Sequence, residues 1–209
     1  MKARSITKVS SALCGVALTA LAVAAPAHAG EWRGTDPAHD VAAKVCKPTC
    51  DYQDAPRNAS ADMVSQRVVY GHESVRVTVR LRHVDRSASF ALTSLVATTD
   101  REGRYFAAIS AFSPTRPAQV SLKNPSGIAL KCGAATTELR GNTVQTVIPA
   151  RCLNSPEWVR WSGYMRVIFP GDLDDDRRFA GWFDKFRTGS DTPLNKNTFE
   201  FSRRIFRAA

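Results

Sequence analysis

The alternating stretch over residues 74–84 constrains the fold of this chain more than any other part of the sequence. Its apolar side chains are Val75, Val77, Val79 and Leu81, and its polar ones are Arg76, Thr78, Arg80 and Arg82. A period of two places the two sets on opposite faces of an extended strand, one buried and one solvated. The pattern predicts a half-buried β-strand with a row of three arginines, Arg76, Arg80 and Arg82, on its outer face.

Short segments rich in β-branched and aromatic residues follow one another through most of the chain, with Gly, Asn, Asp or Pro between them. The predicted strands are 62–70, 74–84, 90–98, 104–112, 119–123, 128–132, 136–140, 143–148 and 157–164, the last of which 165–169 could continue, with shorter ones near 41–45 and 198–202. Turn signals at such close spacing are typical of antiparallel sandwiches and barrels, not of βαβ units. The sequence therefore predicts an all-β protein, an antiparallel β-sandwich.

One segment near the C-terminus has a different period. Phe179, Trp182, Phe183 and Phe186 are three and four residues apart, which is the spacing of one face of a helix. The sequence therefore predicts a short C-terminal helix whose aromatic face closes one end of the core.

The first 29 residues have the pattern of a secretory signal peptide. Lys2, Arg4 and Lys8 precede an apolar run over 11–25, and Ala27 and Ala29 are small residues suited to cleavage. The run is shorter than the roughly 20 residues that cross a membrane, so no transmembrane anchor is predicted. We expect a secreted protein cleaved near Ala29, with a single domain over 30–209 whose first part, 30–61, is irregular.

Four cysteines follow the leader, and an even number in an exported chain favours two disulfides over a zinc site. If the chain turns as a hairpin near Gly141, Cys132 and Cys152 stand opposite each other on antiparallel strands, at a distance that a disulfide can bridge. Cys46 and Cys50 then close a small loop.

Charge and aromatic residues suggest candidate binding surfaces. After the leader, 26 basic residues face 19 acidic ones, and 20 of the basic residues are arginines. Because this excess is spread along the chain, it does not favour a nucleic-acid partner. The arginine row could instead hold an acidic cell-wall polymer or another anionic surface, or it could be a solvated face balanced by neighbouring acids. Trp158 and Trp161 could stack on a cell-wall glycan, although a buried tryptophan is common in sandwiches.

Acidic residues before the predicted helix suggest calcium. Asp172, Asp174 and Asp176 alternate like the first three ligands of a calcium loop, but Arg177 replaces its glycine and Phe183 its bidentate glutamate. A calcium site of different geometry could recruit Asp36 or Asp40, and a helix-capping acidic turn is the alternative. No other cofactor is indicated.

Two stretches carry a resemblance to known proteins. They are Asp36-Pro37-x-x-Asp40-Val41 and Ile148-Pro149-Ala150-Arg151-Cys152-Leu153-x-x-Pro156-x-Trp158-Val159. Together with Asp62-Met63, the alternating strand and the Asp175-Asp176 pair, they resemble small secreted actinobacterial proteins of uncharacterised function. The resemblance implies an exported β-sandwich and implies no activity.

No nucleophile elbow, paired zinc histidines or phosphate-binding glycine loop occurs in the sequence. The histidines after the leader are His39, His72 and His83, of which His83 continues the inward side of the alternating strand. We expect a secreted binding or structural module rather than an enzyme. The alternatives are a secreted hydrolase using carboxylates with a histidine, and a protease inhibitor presenting the Cys46 to Cys50 loop.

Overall fold

The structure is a computed structural model, and it describes residues 30–46, 50–55, 57–101, 103–169, 179–186 and 199–208. Its strands are β1 (Gly30–Thr35), β2 (Ala42–Cys46), β3 (Cys50–Asp54), β4 (Met63–Tyr70), β5 (Ser74–Leu81), β6 (Ser89–Ala97), β7 (Phe106–Ser113), β8 (Arg116–Lys123), β9 (Ala129–Leu130), β10 (Thr136–Arg140), β11 (Thr143–Pro149), β12 (Trp158–Ile168), β13 (Phe179–Lys185) and β14 (Ile205–Phe206). This all-β content confirms the predicted class.

The strands form two antiparallel sheets that share one core. The smaller sheet has the order β1-β4-β5-β11-β10, and the larger has the order β3-β2-β13-β12-β6-β7-β8-β9, with β14 also paired to β12. Ser110 of β7 and Thr146 of β11 join the sheets through buried hydroxyl groups 2.7 Å apart. Two sheets with a common core are the arrangement expected of a β-sandwich.

Strand β5 has the alternation that the sequence predicts. Its inward side chains, Val75, Val77, Val79 and Leu81, are at most 1% exposed, whereas Arg76 and Arg80 are exposed. The strand is the middle one of the smaller sheet, between β4 and β11. A central strand with one apolar face therefore fixes which face of this sheet is buried.

Two tryptophans from opposite sheets meet in the core. The rings of Trp32 in β1 and Trp161 in β12 have centroids 5.9 Å apart, and Phe186 lies 5.2 Å from the first and 5.5 Å from the second. Each tryptophan is followed two residues later, on the same side of its strand, by a glycine, Gly34 or Gly163. Both indole rings lie over these glycines. The missing Cβ thus provides the space that each ring occupies.

We expect Gly163→Ala to destabilise the fold because the added Cβ would stand 2.5 Å from the Trp161 ring. Overpacking of this kind costs about 1–3 kcal/mol, which chemical denaturation would measure. Gly133→Ala is the control, since nothing lies within 4 Å of its Cβ position. Equal stabilities for the two variants would show that the ring moves aside freely.

Strand β12 is bonded by different partners along its two edges. Strand β6 pairs with it from Arg160 to Ile168, whereas the other edge pairs first with β14 and then with β13. Between β14 and β13, Ser202 bonds to the same edge: its N–H donates to the carbonyl of Trp161, and its hydroxyl accepts from the Trp161 N–H. Ser202, which lies outside the described strands, thus continues the hydrogen bonding along this edge, and the N–H of Phe186 donates to the carbonyl of Gly163 next to it.

The predicted C-terminal helix is wrong, because residues 179–185 form strand β13 between β2 and β12. Gly181 has a φ of 119°, which is not helical, and the register with β2 shifts between Phe179 and Gly181. Three of the four aromatic residues lie in this bulged strand, which is paired on both edges, and Phe186 directly follows it. Within the described part of the chain, the only helical segment is a 3-10 turn at Ala150–Leu153, and no helix has the length and apolar character needed to cross a membrane.

The N-terminal segment is more regular than predicted. Instead of one short strand it contributes β1 to the smaller sheet and the hairpin of β2 and β3 to the larger one. The short sequence between Thr35 and Ala42 therefore carries the chain from one sheet to the other. Because this segment has an irregular composition with several prolines, its other strands could not be recognised from the sequence.

One disulfide, not two, is found among the described side chains. Cys132 and Cys152 are bonded, with Cα atoms 6.1 Å apart, as predicted. Their setting differs, since Cys132 lies in the turn before β10 and Cys152 in the 3-10 turn after β11, so the bridge does not join two strands. Backbone register places Cys46 opposite Cys50 at the end of the β2–β3 hairpin, but their side chains lie outside the described ones.

Candidate functional sites

The outer face of the smaller sheet is rich in arginine. Alternation along its strands turns Arg33, Arg67, Arg76, Arg80 and Arg140 to the outside, and all five are exposed. The same face carries two carboxylates, Glu31 and Glu138. The face, which we call the basic face, therefore has three more positive than negative side chains.

Strand register arranges the basic face in rows that cross the sheet. One row contains Thr35, Ser65, Arg80, Thr143 and Arg140; the next contains Arg33, Arg67, Thr78, Gln145 and Glu138. Since neighbouring strands are about 4.8 Å apart, Arg80 and Arg140 are separated by about 10 Å across the sheet. The Cα atoms of Arg76 and Arg80 are separated by about 13 Å along β5.

The two carboxylates of the basic face are already paired. Glu31 accepts hydrogen bonds from Arg67, at 2.8 and 3.1 Å, and from Arg33. The hydrogen bonds from Arg67 and then Arg33 lower the pKa of Glu31 to about 2. Glu138 pairs with Arg140 at 3.0 Å. Among the described residues neither Arg76 nor Arg80 forms an ion pair, so these two guanidinium groups remain available to a ligand.

A shallow depression of about 520 Å³ lies in the basic face. Its lining includes the guanidinium side chains of Arg33, Arg67 and Arg80 and the hydroxyl side chains of Thr35, Ser65, Thr78 and Thr143. Arginine presents paired N–H donors that match the oxygens of a phosphate or carboxylate, and hydroxyls can donate to the same oxygens. The depression therefore has the chemistry of an oxyanion-binding surface.

The third arginine of the predicted row lies elsewhere. Arg82 follows the end of β5, where its guanidinium pairs with the buried carboxylate of Asp62 and approaches Nδ1 of His39 at 2.6 Å. The row predicted from alternation therefore includes Arg76 and Arg80, while Arg33 and Arg67 from neighbouring strands complete the basic face. Alternation along one strand cannot show residues contributed by the next strand.

The two candidate tryptophans have different environments. Trp161 is fully buried between Trp32 and Phe186, so a ligand cannot stack on it. Trp158 is half-buried, and the guanidinium carbon of Arg204 lies 4.6 Å from its ring centroid. The structure therefore places one tryptophan in the core and covers the other with an arginine.

A second candidate site is a cluster of two buried carboxylates and one half-buried one, where the chain passes between the sheets. Asp36 directly follows β1, Asp40 lies two residues before β2, and Asp184 lies near the end of β13. One carboxylate oxygen from each lies within 4.8 Å of the other two. Asp36 is 8% exposed and Asp184 is fully buried. We call this cluster, with Asp62 beside it, the acidic junction.

Asp62 and the segment after it hold the acidic junction together. One oxygen of Asp62 accepts from the backbone N–H of His39 at 2.9 Å and from Arg82. His39 has a φ of 72°, a left-handed conformation that a histidine adopts more readily than most residues. The loop over 36–40 is thereby folded so that its two aspartates approach Asp184.

The surroundings of Asp184 strongly disfavour a negative charge on its carboxylate. Burial, and then the negative charges of Asp36 and Asp40, raise its pKa well above the usual range. One of its oxygens accepts from the N–H of Met63 at 2.7 Å, whereas the other has no hydrogen-bond partner among the described residues. The second oxygen of Asp62, also buried, likewise has none there.

Among the remaining predicted residues, those that the structure describes do not form a site. The predicted leader and Asp172, Asp174 and Asp176 lie outside the described residues. His83, expected on the inward side of β5, is exposed because the strand ends at Leu81. His72 is exposed too. Because Asp62 and Asp184 are fully buried, the acidic junction does not offer them to a substrate, and the hydrolase remains a hypothesis.

Sequence reasoning considered Asp36 and Asp40 but missed Asp62 and Asp184. The sequence pattern places Asp62 in a strand that begins one residue later, at Met63, and the segment containing Asp184 is predicted as a helix but forms strand β13. The available signal was a lone aspartate within an aromatic strand segment, which signifies a buried charge and therefore a partner. Comparison of the chain with protein-family models, with curated proteins and with solved structures gave no match.

Proposed function

We propose that this chain is an exported, non-enzymatic binding module that holds an anionic cell-wall polymer against the basic face. The observation that carries the proposal is the depression lined by Arg33, Arg67 and Arg80 together with four hydroxyl side chains. Export is inferred from the leader pattern. Phosphate or carboxylate groups along a polymer would match guanidinium groups spread across several strands.

The layout of the basic face favours a polymer over a single small ion. Its unpaired cations, Arg76 and Arg80, are separated by about 13 Å along β5, a span that repeated charges can reach together. The depression is shallow and open, which suits an extended chain lying across a sheet. Every cation on this face is arginine, the residue that binds oxyanions in a bidentate manner.

The double variant Arg76→Gln/Arg80→Gln tests the proposal. With sodium polyphosphate and with polygalacturonate as probes, we expect its affinity to fall about tenfold or more at low salt. Loss of two charge contacts should also make the salt dependence shallower. The magnitude of the slope of log association constant against log salt concentration should fall by about 1.4, at roughly 0.7 per contact. Biolayer interferometry over a salt series would measure both, and the two probes separate phosphate from carboxylate recognition.

The matched control is Arg86→Gln/Arg116→Gln, which removes two exposed arginines outside the basic face. It changes the net charge equally and should leave affinity within about twofold, because only contact charges enter the slope. Equal losses for the two double variants would mean diffuse attraction and contradict the proposal. So would wild-type protein that neither polymer retains, or one that prefers duplex DNA to both.

A further inference from the structure

The acidic junction brings carboxylates from both sheets to one point. Asp36 follows a strand of the smaller sheet, whereas Asp184 belongs to a strand of the larger one. The backbone N–H of Asp36 points at the carbonyl of Val64, 3.4 Å away, and Asp184 accepts from the N–H of Met63. The first residues of β4 thus fix two carboxylates that are distant in sequence.

Buried oxygens without hydrogen bonds show that hydrogen bonding alone does not satisfy this cluster. Asp184 and Asp62 are both 0% exposed, and each has one oxygen with no hydrogen-bond partner among the described residues. A buried carboxylate needs a hydrogen-bond donor, a proton or a cation. Asp36 and Asp40 each place a carboxylate oxygen within 4.8 Å of one from Asp184, so the local field is negative and attracts a cation.

We propose that the acidic junction binds one calcium ion through Asp36, Asp40 and Asp184, with Asp62 beside it, and that the ion clamps the two sheets together. Oxygen-only donors select a hard cation. Oxygens on opposite sides of a calcium ion bound at 2.3–2.6 Å would be about 4.6–5.2 Å apart, and the three carboxylate oxygens lie within 4.8 Å of one another. Ligands from the 36–40 loop and from strand β13 suit the flexible coordination of calcium better than the strict octahedron of magnesium.

Calcium titration of the full chain after chelator treatment tests this site. We expect isothermal calorimetry to give a Kd on the order of 10⁻⁴ to 10⁻³ M, the range of extracellular modules. At about 10 mM calcium, the melting temperature should rise by at least about 3 °C, since only the folded chain has the site. The same concentration of magnesium should raise the melting temperature less than calcium does.

Asp184→Asn is the informative variant. Its amide oxygen can keep the bond from Met63 N–H, while its NH2 group can donate towards Asp36 and Asp40. In chelator the variant should therefore melt above the wild type, yet calcium should no longer raise its melting temperature. The control Asp54→Asn removes an exposed carboxylate of β3 and should respond to calcium like the wild type.

The proposal is overturned if calcium neither releases heat on binding nor shifts the wild-type melting temperature. It is also overturned if magnesium has the larger effect, or if Asp184→Asn keeps the full calcium response. Polymer binding by the basic face does not enter any of these readouts, so the two proposals fail independently.

Discussion

Trp161→Ala should lower the free energy of unfolding by about 3–5 kcal/mol, the cost of removing a large aromatic side chain from a packed core. The indole is fully buried and contacts aromatic rings from both sheets, Trp32 from β1 and Phe186 after β13. Removing it opens a cavity where the two sheets meet. For a domain of this size the melting temperature should fall by about 6–20 °C.

Trp158→Ala is the matched control on the same strand. Trp158 is half-buried, and its defined partner is the guanidinium of Arg204, so the loss should be about 1 kcal/mol or less. Urea unfolding followed by far-UV circular dichroism would measure both variants without relying on tryptophan fluorescence. Equal destabilisation would contradict the assignment of Trp161 as the aromatic centre of the core.

The Cys132–Cys152 disulfide gives the second large expected effect. It closes a loop with a sequence separation of 20 residues, for which restriction of the unfolded chain is worth about 3 kcal/mol. The bridge also fixes the two ends of the β10–β11 hairpin, whose outer strand is at the edge of the smaller sheet. We expect Cys132→Ser/Cys152→Ser to melt about 6–12 °C below the wild type.

Reduced wild-type protein provides the control for the disulfide. Under dithiothreitol it should melt close to the double variant, because both then lack the same cross-link. Calorimetric scans with and without reductant would show this, and the double variant itself should be insensitive to reductant. An unchanged melting temperature for the double variant would mean that the hairpin ends are held by packing alone.

Features that depend on one strand at a time were predictable from the sequence. The alternation of β5 is read directly from its residues, and the Cys132–Cys152 bond followed from a hairpin whose turn lies at Gly141 and Asn142. The turn fixes which residues come near each other. Local pattern and short-range geometry were sufficient in both cases.

Features that depend on which strands become neighbours were not predictable. The basic face needs β1, β4 and β5 side by side before Arg33 and Arg67 join Arg80. The acidic junction needs β13 to lie next to β2, and aromatic spacing in β13 indicated a helix instead. A single sequence without its pairing order could therefore supply Asp36 and Asp40 but not the residue that meets them.

The bond pattern around Ser202 has a consequence for shortened forms of the chain. Along β12, Trp161 offers its carbonyl and its N–H to this one residue, in the interval between two strand partners. A chain ending before Ser202 would leave that carbonyl and that N–H without hydrogen bonds on an apolar strand. Unpaired backbone groups on a strand edge can pair with strands of other molecules. Truncation at the C-terminus would thus promote self-association before it unfolded the sheets.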